Sequence, residues 1–167
     1  MHRLFAASLI VMVGCQSKDD DNSTDSAAHQ HNSHDDSGQS NNDDTDPPDD
    51  FDASRTVTSN HGLFTATYAP TPDPIPESIE FSVAVTITDP TDPSLVLSDV
   101  VITSIDATMP SHGGHGMNVN PAVSDNGDGT GEGSPLKFHM PGYWVLHVEA
   151  TVGGQSDRAD FEIDCCE

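Results

Sequence analysis

Ile79-Glu80-Phe81-Ser82-Val83-Ala84-Val85-Thr86-Ile87-Thr88 is the stretch that decides the fold. Ile79, Phe81, Val83, Val85 and Ile87 fall on every second position, with Glu, Ser, Ala and Thr between them. Alternate residues of a strand point to opposite faces, so this period of two describes a β-strand with one buried side. Working outward, further strands are expected at Leu63–Tyr68, Val100–Thr108, Met117–Val123, Gly133–Met140, Tyr143–Val152 and Arg158–Ile163. They are separated by turn signals: Thr71-Pro-Asp-Pro74, Asp89-Pro-Thr-Asp-Pro93, Asp125-Asn-Gly-Asp-Gly129 and Gly153-Gly154. No stretch sustains the 3.6-residue period of a helix. About seven short strands at this spacing predict an all-β domain, an immunoglobulin-like or cupredoxin-like sandwich, over residues 54–167. The Cys-Trp-Cys pattern of a true immunoglobulin domain is missing, and no repeat is visible.

Ahead of that domain the composition changes. Residues 17–52 hold twelve Asp, many Ser and Asn, and His29, His31 and His34, with no Val, Leu, Ile or aromatic residue before Phe51. Such a segment cannot bury enough apolar surface to offset chain entropy. Residues 15–53 are therefore expected to be a disordered, self-repelling acidic tether. Its histidines and carboxylates also allow a low-affinity metal-scavenging role.

The chain begins Met1-His2-Arg3 and is apolar from Leu4 to Val13, too short a run to span a bilayer. A basic start, a short apolar run and a small residue make a secretory signal, residues 1–14. Met12-Val13-Gly14-Cys15 resembles a bacterial lipobox, so Cys15 is expected to carry lipid and anchor the chain to a membrane. Gln16 after the lipidated Cys, in place of Asp, favours the outer membrane or the periplasm-facing envelope. Five Lys and Arg against 28 Asp and Glu give a net charge of −23. This excludes nucleic acid as a partner, because binding phosphates needs cations.

The chemistry concentrates in Met109-Pro-Ser-His112-Gly-Gly-His115-Gly-Met117 and Phe138-His139-Met140-Pro141-Gly142-Tyr143-Trp144. Once the signal segment is set aside, Met109, Met117 and Met140 are the methionines that remain, and each lies within three residues of a histidine. Imidazole and thioether together suit copper, above all Cu(I). The candidate ligands are His112, His115, Met117, His139, Met109 and Met140. A Gly-rich loop can fold His112 and His115 onto one centre. Strand parity through Met140 would put Met140 on the face of Leu136 and Phe138 and turn His139 away. Blue-copper electron transfer is disfavoured, because no Cys lies near these residues.

Other features have plainer readings. Asp125–Glu132 is a hairpin turn before it is a calcium loop. His61 is isolated, and His147 on its strand is structural or exposed. Cys165-Cys166 follow the last expected strand and are read as an exposed, redox-labile pair. No nucleophile, phosphate loop or paired-carboxylate motif points to an enzyme.

Ala107-Thr-Met109-Pro-Ser-His112-Gly-Gly-His115-Gly, Asp125-Asn-Gly-Asp-Gly-Thr130 and Phe138-His-Met140-Pro-Gly-Tyr-Trp144-Val-Leu-His-Val148 resemble the YtkA-like domain family, over roughly residues 55–163. That resemblance implies a small extracytoplasmic β-sandwich, often lipid-anchored. It is related to the FixH type associated with assembly of copper-dependent oxidases. A looser similarity to copper chaperones of the PCu(A)C type, which use two His and two Met, covers the spacing of Met117 and His139. That family's first His would fall near Asp106, and its His-x-Met stands here as His139-Met140 with no spacer. The expectation is a lipid-anchored protein that binds copper and hands it to an acceptor. The alternative is a metal-free interaction module with an envelope protein partner.

Overall fold

A computed structural model describes residues 46–166. The signal segment, Cys15 and the tether up to residue 45 lie outside the described residues. The described residues form nine strands: β1 (Thr56–Thr58), β2 (Thr65–Thr71), β3 (Phe81–Thr88), β4 (Val100–Met109), β5 (His115–Gly116), β6 (Ala122–Asp125), β7 (Thr130–Leu136), β8 (Gly142–Val152) and β9 (Gln155–Cys165). They pair into two antiparallel sheets, in the orders β1-β2-β3-β7-β6 and β5-β4-β8-β9. Leaving out β1, these are the two sheet orders of an immunoglobulin sandwich carrying one extra strand on its second sheet.

The all-β expectation holds, and the alternation in β3 reads as expected. Phe81, Val83, Val85 and Ile87 are buried while Ala84 is exposed. They meet Ile102, Ile105, Leu146, Val148 and Phe161 of the other sheet in one core. Seven strands were expected, and the two extra ones are β1 and β5, of three and two residues. Elements that short show no period.

Several boundaries shift. Ile79 was read as the first buried residue of β3, yet it is 62% exposed. Ser78 turns the chain at φ 56°, and its amide is held by the Phe138 carbonyl. The strand expected at Met117–Val123 begins only at Ala122. That expected at Gly133–Met140 is β7, ending at Leu136, which is paired with Phe81, the first residue of β3. Where the partner strand stops, the ladder stops. The last strand was expected to end at Ile163 but runs to Cys165, which is 4% exposed and paired with Gly142. Cys165 is therefore part of the sheet and sealed, and Cys166 beyond it is partly buried.

Two further details position the site. Gly131 and Gly133 let β7 approach β4. A Cβ on Gly133 would sit 2.9 Å from Cβ and Cγ2 of Ile105. The chain before β1 also lies against the fold: Phe51 meets Tyr143 edge to face at 6.2 Å, and the Asp52 amide donates to Glu162 Oε2 at 2.7 Å.

Candidate metal site

β4 delivers its last residue, Met109, into the core with no exposed surface. Pro110 then starts a single 3-10 turn, Pro110–His112. Gly113 and Gly114 follow at φ 67° and 77°, a left-handed conformation that residues with a Cβ rarely adopt. Their amides close the turn onto Pro110 O and Met109 O. The chain thereby doubles back as β5, with Met109 opposite His115 and Thr108 opposite Gly116. Directly opposed residues of an antiparallel pair share a face. His115 thus stands over Met109 at the rim of the sandwich, exposed where Met109 is sealed.

The second stretch arrives from the other sheet. After β7 ends, residues 137–141 cross to β8, and the Lys137 amide donates to Met117 Sδ at 3.4 Å. Two residues on, His139 Nε2 lies 3.1 Å from His115 Nε2. The imidazole centroids are 5.2 Å apart, with planes at 65°. His139 also meets Trp144 edge to face at 5.7 Å. Trp144 in turn stacks on Phe138 at 4.7 Å and donates its indole N–H to the Met140 carbonyl at 3.0 Å. The site is therefore anchored on the core through a continuous aromatic stack.

Of the six candidate ligands, the fold brings the rings of His115 and His139 together, while the Met117 sulfur rests on the Lys137 amide, two residues before His139. His112 lies exposed on the 3-10 turn. Met109 is wholly core, and Met117 and Met140 both pack partly buried against that core. The parity expectation for His139 does not apply, because the strand has ended before it. Among the described residues, no three His, Cys, Asp or Glu side chains gather for one ion. The soft donor nearest to His115 in the sequence is Met117, whose sulfur accepts from the Lys137 amide.

The geometry constrains the protons. Two imidazole nitrogens 3.1 Å apart share one hydrogen, one donating and one accepting. His139 Nδ1 is buried without a partner. Whichever tautomer His139 takes, one of its polar atoms goes unsatisfied, at a cost of about 1–3 kcal/mol. With metal–nitrogen bonds of about 2.0–2.1 Å, nitrogens at this separation subtend roughly 100° at an ion, close to tetrahedral.

Two further histidines of the described residues, His61 and His147, pair with carboxylates. His61, 81% exposed on its side chain, places Nδ1 2.9 Å from the buried Asp157. Burial alone would raise Asp157, but hydrogen bonds from Ser59, His61 and Arg158 outweigh it and hold it well below the usual carboxylate range. His147 lies between Asp160 at 2.6 Å and Thr108 Oγ1 at 2.9 Å. Burial raises Asp160, and contacts from His147, Asn60 and Arg158 bring it below its ordinary value. The series Thr108–His147–Asp160 has the order of a hydroxyl–imidazole–carboxylate triad. Asp160 is shared with Arg158 Nε at 2.8 Å and Asn60 Nδ2 at 3.0 Å, which marks a cross-strand polar network. Sequence spacing hides both pairs, because their partners are 96 and 13 residues apart. The Asp125–Glu132 segment is the β6–β7 turn, closed by the Asn126 amide on Thr130 O.

Comparison of the chain with protein-family models, with curated proteins and with solved structures finds no match.

Proposed function

We propose that this chain is a lipid-anchored, extracytoplasmic copper-binding protein that holds Cu(I) for delivery or protection and catalyses no reaction. The observation that carries this is the 3.1 Å approach of His115 Nε2 and His139 Nε2, with the Met117 sulfur on the amide of Lys137, two residues before His139. Two imidazoles and a thioether form a soft donor set suited to Cu(I). Export is supported by the Met12-Val13-Gly14-Cys15 motif. The −23 charge favours attraction of cations. An exposed edge site reached from solvent through His115 suits transfer to an acceptor protein.

The competing reading is a metal-free interaction module in an envelope assembly, favoured by the packing of Met109 and Met140 in the core. Anaerobic Cu(I) titration of the full chain carrying Cys15→Ser, followed by native mass spectrometry, separates the two. A tight 1:1 species lost on combining His115→Ala with His139→Ala is the expected result. Absence of that species, or its persistence in the double variant, rejects the copper reading.

A further inference from the structure

A second imidazole centre lies where the turn between β1 and β2 meets the start of β9. The turn is closed on itself. The Ser59 amide donates to Phe64 O, the Phe64 amide donates to Ser59 Oγ, and the Gly62 amide donates to Ser59 O. It presents His61, whose Nδ1 lies 2.9 Å from Asp157 Oδ1. Asp157 is sealed, with 1% of its side chain exposed. It accepts from the His61 and Leu63 amides on Oδ2 and from the Arg158 amide on Oδ1. A carboxylate served by that many donors stays ionised and only accepts, so the hydrogen between the two side chains sits on His61 Nδ1. Nε2 of the neutral ring is left with its lone pair, on a side chain 81% exposed. The amides of the turn account for Asp157. Packing does not account for the ring, which stands outside the core and is nevertheless fixed.

His61 lines a solvent-open hollow of about 330 Å³, together with Asn60, Glu149, Ser156, Asp157 and Arg158. Glu149 brings an exposed carboxylate to the same wall. Arg158 brings a cation, but its guanidinium is held by Asp160 at 2.8 Å through Nε and 3.1 Å through Nη2. We propose that His61 Nε2 and the Glu149 carboxylate take up a divalent cation of borderline hardness, of the zinc(II) class, with water in the remaining positions. Imidazole nitrogen and carboxylate oxygen are both zinc donors. Asp157 is a positioning residue. It fixes the ring and its tautomer and raises the basicity of Nε2 without touching the ion. Two protein donors make an open, exchangeable site, unlike the closed four-ligand sites that hold a fold together. The −23 charge of the chain draws cations toward it. This inference is independent of the copper reading, since it shares no residue with that site.

The test uses the full, isotope-labelled chain with Cys15→Ser and follows each imidazole separately by long-range proton–nitrogen correlation NMR. Histidines of the tether and of the copper site are thereby read apart from His61. Before metal is added, His61 is expected as the Nδ1–H tautomer. Asp157→Asn, which can turn an N–H toward Nδ1, should switch it to the Nε2–H form, a change that loss of a merely structural carboxylate would not produce. Addition of zinc(II) should move the His61 Nε2 signal while Nδ1–H persists. The affinity read at His61 should fall about tenfold or more in Asp157→Asn and in Glu149→Gln. Glu149 is exposed, so Glu149→Gln keeps the test decisive if Asp157→Asn unfolds. An Nε2–H tautomer in the native chain, an Nε2 signal that zinc(II) leaves in place, or an affinity that either substitution leaves unchanged overturns the proposal.

Discussion

His139 and Trp144 meet edge to face, ring centroids 5.7 Å apart and planes at 72°. Trp144 is the one tryptophan of the chain and is fully buried. The candidate site therefore reports itself. A metal ion on His139 Nε2 sits within a few ångström of the indole and is expected to quench its fluorescence. Anaerobic titration with Cu(I) should lower the emission to a plateau at one equivalent. His139→Ala should abolish the response, and a response unchanged in that variant would place the metal elsewhere.

The methionines should separate by function. Met117 lies at the edge with its sulfur on the Lys137 amide, whereas Met109 has no exposed surface. Met117→Ala is expected to weaken Cu(I) binding about tenfold or more, which is about 1.4 kcal/mol or more, with little change in melting temperature. Met109→Ala should cost about 2–5 kcal/mol of stability through the cavity it leaves. Competition with a Cu(I) chelator and urea unfolding measure the two effects side by side.

Asp157 should make stability fall in acid. Its folded-state affinity for protons is lowered, because Ser59, His61 and Arg158 bond its charged form. A carboxylate depressed by folding contributes stability that is fully present above its unfolded pKa, about 3.9. That contribution is lost as pH drops from there toward the folded-state value. Urea midpoints for the native chain should therefore decline more steeply below about pH 4 than those for Asp157→Asn. At pH 7 the variant should already be weaker, by about 1–3 kcal/mol, since the His61 and Leu63 amides lose a charged acceptor.

Gly133 should tolerate no side chain. A Cβ there would meet Ile105 at 2.9 Å, whereas one on Gly116 meets nothing closer than 3.9 Å. Gly133→Ala is expected to cost about 1–3 kcal/mol by overpacking the gap between β7 and β4. Gly116→Ala should lie within about 0.5 kcal/mol of the native chain. Calorimetric melting of both variants tests the contrast.

The alternation from Phe81 to Ile87 was enough to read an all-β domain, because a half-buried strand writes its geometry into every second residue. Strands near β2, β4, β8 and β9 were legible too, whereas those expected at Met117–Val123 and Gly133–Met140 overlap β6 and β7 only in part. The chemistry of His115, Met117 and His139 was legible, since donor type is a property of the residue. The ends of those strands were not legible. β7 stops at Leu136 because β3 begins at Phe81, a fact about the partner and not about the local pattern Leu136-Lys-Phe-His-Met140. Nor does sequence announce β5, whose two residues pair only because Gly113 and Gly114 reverse the chain beside Met109.

What sequence by itself determined, then, is the strand class, the acidic character of the chain and the inventory of soft donors. Tertiary structure alone decided which donors meet. It brought His115 and His139, 24 residues apart, to 3.1 Å, sealed Met109 below them and left His112 in solvent. The physical reason is that periodicity records which face of an element is buried, whereas convergence depends on where two separate elements end, and their partners set that.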